Sequence, residues 1–345
     1  MTDAGLFGFT GEQLHPVAER ALGTPVRDLR VSARMIAAEP GSDEHGGCGE
    51  KRVATFVGID ADGRERSEWV FVKLADPGCE ESLHFEEMSR HAVPVARFYG
   101  ALIHDDGREA VFTELLDPVL TWDDWNDDET HVEFVEAIAR LNAIRPSPSY
   151  IRALTRDHVR RDMSAGVSSL SEVWERALVG RFGTEISVEI AGHPGGPEDL
   201  RQFLHATLAR YDLLPKGLCH REAEGYHAGR RRTTGKLVFF DVETMGIEPR
   251  FYDVAAWYSE PPPGMPRREF AARYLDHYVR AGGARVAFDV FDAETTVIQI
   301  CQNVRWLWQM FSWNQESACE ESAHWTAEAL RGLRTWRLRS RSVQD

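Results

Sequence analysis

Hydrophobic and polar positions change period along this chain, and each change marks an expected element. Thr10, with Gln13 three residues on, has the form of a capping box, and Leu14, Val17, Ala18 and Ala21 follow at helical spacing up to Gly23. Val31–Ala38, Arg52–Ile59 and Glu68–Leu74 read as strands, the first two joined by a glycine-rich polar stretch (39–49) and the last two by Asp60-Ala-Asp-Gly63. Strands joined this way predict an antiparallel sheet. A charged helix is expected over about 79–91, then the turn Asp105–Gly107 and a further strand, Glu109–Leu116.

From about residue 131 helical spacing dominates. Val132, Val135, Ala139 and Asn142 mark one face, and helices are expected at about 150–164, 168–181, 197–211, 267–281, 292–313 and 320–336. The exception lies between 215 and 245, where the short apolar run Lys236–Phe240 ends at Asp241. The change of character after Asp117-Pro118 places a boundary between a lobe at 1–117 and one at 118–345. The length of 345 residues is enough for two cores.

Composition narrows the function classes. Forty basic against 55 acidic side chains give a formal charge of −15, which argues against nonspecific nucleic-acid binding and is compatible with a cationic substrate. The acidic stretch Asp123–Glu129 reads as a solvated loop or as an attractor for such a substrate, and Arg230-Arg231-Arg232 as solvated surface. No apolar run reaches the length of a membrane span, and the first ten residues lack a basic region leading into an apolar stretch, so a cytoplasmic protein is expected. The five cysteines lack C-x-x-C spacing and read as reduced thiols rather than disulfides or a zinc site. The tryptophans of the last helices, Trp306, Trp308 and Trp313, read as core.

The candidate chemistry is phosphoryl transfer, which asks for a phosphate-binding lysine, metal-binding carboxylates and a base near the acceptor hydroxyl. Lys73 ends the apolar run Val70-Phe-Val on the third strand, the pattern of a phosphate-pairing lysine. Its carboxylate partner is expected on the next helix, where Glu81, Phe85 and Met88 share a face; Glu80, Glu86 and Glu87 compete. Further on come Gly217-Leu-Cys-His220-Arg-Glu222-Ala-Glu-Gly-Tyr-His227 and Asp241-Val-Glu243, then Asp253 in Tyr252-Asp-Val-Ala-Ala-Trp257.

This order resembles the aminoglycoside phosphotransferase and choline kinase group, in which H-x-D-x-x-x-x-N precedes a hairpin and a D-x-D or D-x-E motif. Val93–Arg97, the hinge-like Phe112-Thr-Glu-Leu-Leu116 and Ile138–Ala143 are similar as well. The resemblance implies an α+β, two-lobed protein-kinase-like fold: a small N-terminal lobe with an antiparallel sheet and a larger, mostly helical C-terminal lobe. It implies ATP or GTP as donor with Mg²⁺, and a small-molecule hydroxyl or a peptide serine or threonine as acceptor. Relatives of that kind pair with a lyase in some peptide-dehydrating pathways, so a partner enzyme in a biosynthetic pathway is a further expectation.

Residue by residue, Glu222 stands at the catalytic aspartate, His227 at the metal-ligand asparagine, and Asp241 and Glu243 at the metal-binding motif. Lys73, Glu81, Glu114, Leu116, Gly47 and Gly49 are the candidates for nucleotide contact, although the glycines do not form G-x-G-x-x-G. Asp253 is assigned support, and Glu224 replaces Glu222 if the loop register shifts. The departures at Glu222 and His227 also admit a kinase-like binding protein that acts through a partner without turnover.

Overall fold

The computed structural model describes residues 6–36, 50–75, 78–121, 124, 127–154, 158–178, 188–189, 192, 195, 197–223, 227–262, 264–316 and 320–342. Chain packing divides it into two compact units, Met1–Leu141 with Pro146–Leu154 and His220–Met245, and the remainder. These units do not follow a single cut at residue 117. The hairpin at 228–239 pairs with the strand that spans that residue and so packs with the first unit.

In the first unit, helix α1 (Gly11–Leu22) opens on Thr10, whose hydroxyl accepts from Gln13 N–H while the Gln13 side chain accepts from Thr10 N–H. It closes on Gly23 at φ 70°, a left-handed position where a side chain is disfavoured. Strands β1 (Arg27–Met35), β2 (Glu50–Ile59), β3 (Glu65–Ala75), β4 (Phe98–Ile103) and β5 (Glu109–Glu114) form an antiparallel sheet in the order β1-β2-β3-β5-β4. Alternation along β3 sorts its side chains between the two faces of this sheet. Val70, Val72 and Leu74 join Leu14, Val17, Phe56 and Phe112 in a core with α1, whereas Phe71 and Lys73 point to the other face.

Helix α2 (Glu81–Met88) is pinned on that other face. Phe85 stacks on Phe98 with ring centres 5.5 Å apart. His84 Nδ1 lies 2.7 Å from the Tyr150 hydroxyl, and Glu87 accepts from the backbone N–H and hydroxyl of Ser147. The run expected as one strand to Leu116 is two: β5 ends at Glu114, and β6 (Leu116–Val119) joins β8 (Ala228–Arg231) and β9 (Leu237–Phe239) in a separate sheet. Helix α3 (Asp128–Asn142) begins where Asp127 accepts from Thr130 N–H, and Asp124 accepts from Thr121. Asp124 and Asp127 of that acidic stretch thus serve local structure. Helix α4 spans Pro148–Ala153.

The second unit is built on helices α5 (His158–Leu178), α6 (Pro197–Leu213), α7 (Tyr252–Ser259), α8 (Arg267–Arg280), α9 (Phe288–Glu316) and α10 (Glu320–Ser342). Helices expected at 150–164 and 168–181 are divided differently: α5 runs unbroken through 164–168, and the separation from α4 falls earlier. Gly166 keeps α5 close to α9, since a Cβ there would sit 2.6 Å from the Val304 carbonyl oxygen. Strands β7 (Lys216–Cys219) and β10 (Gly246–Pro249) pair antiparallel. Asn142 donates to the Asp253 carboxylate at 2.7 Å and accepts from the Tyr274 hydroxyl at 3.0 Å, so Asp253 is a buried brace. Trp306, expected in the core, is 40% exposed and meets Trp325 edge to face. The Trp313 side chain lies outside the described residues. Among the described residues no helix is long and apolar enough to cross a membrane.

His220 follows β7 and is fully buried in the first unit. Its Nε2–H donates to the Phe240 carbonyl at 2.9 Å, and its ring lies against Phe239 and His227. Burial, reinforced by the neighbouring His227, pushes its pKa down to about 4 from the ordinary 6.5. The unfolded chain takes up this proton near pH 6.5 and the folded chain only near 4, so acidification through that window favours unfolding. Denaturant titrations from pH 7 to pH 4 are expected to show a loss that is shallower in His220→Asn, by up to about 3 kcal/mol. Equal pH slopes in the two proteins would refute the buried neutral histidine.

Candidate active site

Lys73 sits mid-strand on β3, opposite Lys51 on β2 and Val111 on β5, with its ammonium 3% exposed. Three carboxylates surround it. Nζ donates to Glu243 Oε2 at 2.7 Å and to Asp241 Oδ1 at 2.8 Å, and pairs with Glu81 Oε2 at 3.2 Å. Of the glutamates on and before α2, Glu81 is the one that reaches the lysine; Glu87 is turned to Ser147.

One ammonium faces three carboxylates, of which Glu81 is buried and Asp241 and Glu243 are half-buried. Burial is the largest influence on Glu81, opposed by Lys73 and reinforced by Asp241 and Glu243, and the balance raises its pKa to about 7. Asp241 is also penalised by burial, yet Lys73, with His227 and Lys51 behind it, holds its carboxyl below the usual range. Burial lowers the Lys73 pKa, but the three acids outweigh it and raise it overall. Cys79 lies beside this group, Sγ 3.8 Å from Glu243 Oε2; burial and the negative charge of Glu81 push its thiol up to about 12, so it stays protonated. Cys79, Glu81 and Glu243 bring donor atoms within 4.8 Å of one another.

The loop bearing Glu222 is tied to the one bearing Asp241. Arg221 takes the left-handed backbone at φ 73° and donates to the Thr244 carbonyl at 3.1 Å, while the Thr244 hydroxyl donates to the His220 carbonyl at 3.0 Å. Asp241 is left-handed as well, at φ 56°. Non-glycine residues in this region cost about 1–2 kcal/mol each, and they persist where surrounding bonds determine them. His227 Nδ1 is 2.8 Å from the Glu222 carbonyl oxygen, and its Nε2 is 3.9 Å from Asp241 Oδ2. Glu222 is half-buried. Glu224, its substitute under a shifted register, lies outside the described residues, as do Gly47 and Gly49.

A cavity adjoins the lysine, lined among others by Phe71, Thr113, Leu115, Val119 and Phe240 together with Glu114 and Leu116. Sequence reasoning missed Lys51 and Phe71; the alternation of Phe71 with buried Val70 and Val72 on β3 was an available signal, whereas Lys51 lies between half-buried Glu50 and Arg52 and carries none. It also misjudged Arg231. Rather than facing water, this side chain is half-buried and its Nε lies 2.8 and 3.0 Å from the Glu114 carboxylate oxygens. The same carboxylate accepts from Arg97 N–H at 2.8 Å, so the Glu114 side chain is already engaged by the protein. Arg230 likewise pairs with Glu133 at 2.6 Å.

No protein-family model matches the sequence, and no curated protein matches it. Solved structures do. An ethanolamine kinase of Plasmodium vivax is 12% identical with a TM-score of 0.55, over 88% of this chain and 82% of that one. The GDP complex of wild-type aminoglycoside 2'-phosphotransferase-IIIa is 12% identical with a TM-score of 0.51, over 95% and 99% of the two chains. A structure of APH(2'')-IIIa with GDP and kanamycin is 12% identical with a TM-score of 0.52, over 89% and 93%. The chain therefore has the two-lobed α+β kinase-like fold that these phosphotransferase structures share.

Proposed function

We propose that the protein is a phosphotransferase that moves the γ-phosphoryl group of ATP or GTP to a hydroxyl group of a small molecule or of a peptide serine or threonine. The observation that carries this reading is the buried Lys73, ion-paired with Glu81 from α2 and within hydrogen-bond reach of Asp241. The structural neighbours support it: they are named as kinases and phosphotransferases, two of them in complex with GDP.

In this reading Glu81 orients the Lys73 ammonium, which binds the nucleotide phosphates, and the cavity wall of Phe71, Leu116 and Phe240 receives the base. The donor atoms of Asp241, Glu243 and His227 suit a divalent cation, because three acids around one lysine leave uncompensated negative charge. Such a cation, when bound, neutralises phosphate charge. Glu222 accepts the proton of the attacking hydroxyl. The loop that carries it is tied by the bonds of Arg221 to the Thr244 carbonyl and of Thr244 to the His220 carbonyl. The chain works in the cytoplasm, where nucleoside triphosphates are supplied, beside any partner enzyme that consumes a phosphorylated peptide.

A second reading, a binding protein without turnover, is favoured by one feature: Asp241 and Glu243 both close on Lys73, occupying the ammonium that phosphates need. Nucleotide binding separates the two. Thermal shift with ATP or GTP and a divalent cation is expected to raise the melting temperature of the wild type and not of Asp241→Asn. No shift under any condition favours the binding-protein reading.

Given an acceptor, Lys73→Ala is expected to abolish detectable product while far-ultraviolet circular dichroism stays native. Glu222→Gln is expected to lower kcat by about 10²–10⁴-fold with little change in nucleotide affinity. Full activity in either variant would overturn the assigned roles.

A further inference from the structure

Two lysines face each other across β2 and β3, and they are partnered very differently. Lys51 and Lys73 are in direct register, so their side chains leave the sheet on the same face. Cβ atoms of such a pair lie about 4.5–5.5 Å apart, and like charges so placed repel. Lys73 Nζ meets Glu243, Asp241 and Glu81 at 2.7, 2.8 and 3.2 Å. An ammonium has three N–H donors, so a phosphate reaches this one only by displacing a carboxylate. Lys51 lines the same cavity and is half-buried, and its ammonium forms no hydrogen bond or ion pair with any of the described residues. Its neighbour Glu50 is taken up by Arg52 at 3.2 Å, and the Arg52 guanidinium lies over the Phe7 ring, 4.1 Å from its centre. Alternation sends both of these to the opposite face of β2, away from Lys51.

We infer that Lys51 is a phosphate-binding residue of the site, a second cation that meets the phosphates of a nucleoside triphosphate beside Lys73; this rests on the nucleotide-site reading above. Glu81 comes from α2, and Asp241 and Glu243 from the turn after β9, so the acids crowd one lysine. Three carboxylates around a single ammonium make its surroundings repellent to a polyphosphate. Lys51 adds positive charge one strand along the sheet, and that charge reaches the site, since it helps to hold the Asp241 carboxyl below its usual range. An anion lying against both ammonium groups relieves their repulsion. Lys51 therefore serves a ligand and not the empty fold.

The test is calorimetric titration of ATP and GTP, against adenosine and guanosine, into the wild type, Lys51→Met and Lys51→Arg in the presence of Mg²⁺. Lys51→Met is expected to weaken triphosphate binding by about tenfold to a hundredfold and to leave nucleoside binding within about twofold. Its melting temperature without nucleotide is expected to equal or exceed that of the wild type, because the repulsion is gone. Lys51→Arg is expected to recover most of the triphosphate affinity. Unchanged triphosphate affinity in Lys51→Met overturns the inference. An equal loss for triphosphate and nucleoside marks a structural role and overturns it too, and both results leave the phosphotransferase reading intact. Should Lys51→Met fail to fold, acylation footprinting of the wild type decides: the triphosphate is expected to protect Lys51 and the nucleoside is not, and labelling that the triphosphate leaves unchanged overturns the inference. No binding of either triphosphate to the wild type overturns the nucleotide-site reading itself, and the inference with it.

Discussion

A buried lysine beside three carboxylates is the constraint on which the first unit is organised. Lys73 enters from the middle of β3, Glu81 from the start of α2, and Asp241 and Glu243 from the turn after β9. Each acid alone in this setting would be costly to keep charged, and the lysine alone would be equally so. Together they hold one another, and their mutual dependence explains why segments 168 and 170 residues apart in sequence meet at one atom. Glu81 feels the other three directly: burial raises its pKa, Lys73 opposes that rise, and Asp241 and Glu243 reinforce it.

Around this group the protein uses backbone strain sparingly and at the places that matter. Arg221 and Asp241 are left-handed without being glycine, and both flank loops that carry candidate chemistry. The bonds that enforce these conformations, from Arg221 to the Thr244 carbonyl and from Thr244 to the His220 carbonyl, join the two loops directly. Glu114 plays the same part on the hinge-like segment, where Arg231 and the Arg97 amide lock its carboxylate.

Much of the fold was legible in the sequence where one local rule sufficed. The capping box at Thr10, the alternation of Val70, Val72 and Leu74 against Lys73, and the 81, 85, 88 face of α2 are read directly from spacing. What was not legible depends on long-range pairing. The break between β5 and β6 is set by which sheet each strand joins, and no local signal separates Glu114 from Leu116. Arg231 looked like surface because a run of three arginines carries no mark of the distant Glu114 that takes up the middle one. The close approach of Val304 to Gly166 within the unbroken α5 is likewise invisible locally. The roles proposed for Glu222 and His227 come from resemblance, and the structure adds the contact of His227 Nδ1 with the Glu222 carbonyl.

The anchoring of α2 bears on how such a site could be regulated. Its buried underside is fastened to the 147–150 segment by the contact of His84 with Tyr150 and by the bonds of Glu87 to Ser147. Of these only the His84–Tyr150 contact is fully buried, and a buried group left unsatisfied costs about 1–3 kcal/mol, before the stacking of Phe85 on Phe98 is lost. A swing of this helix that withdrew Glu81 from Lys73 would have to overcome all of these at once. The helix therefore acts as a strut that keeps Glu81 at Lys73, and its anchor at 147–150 is part of what holds that ion pair.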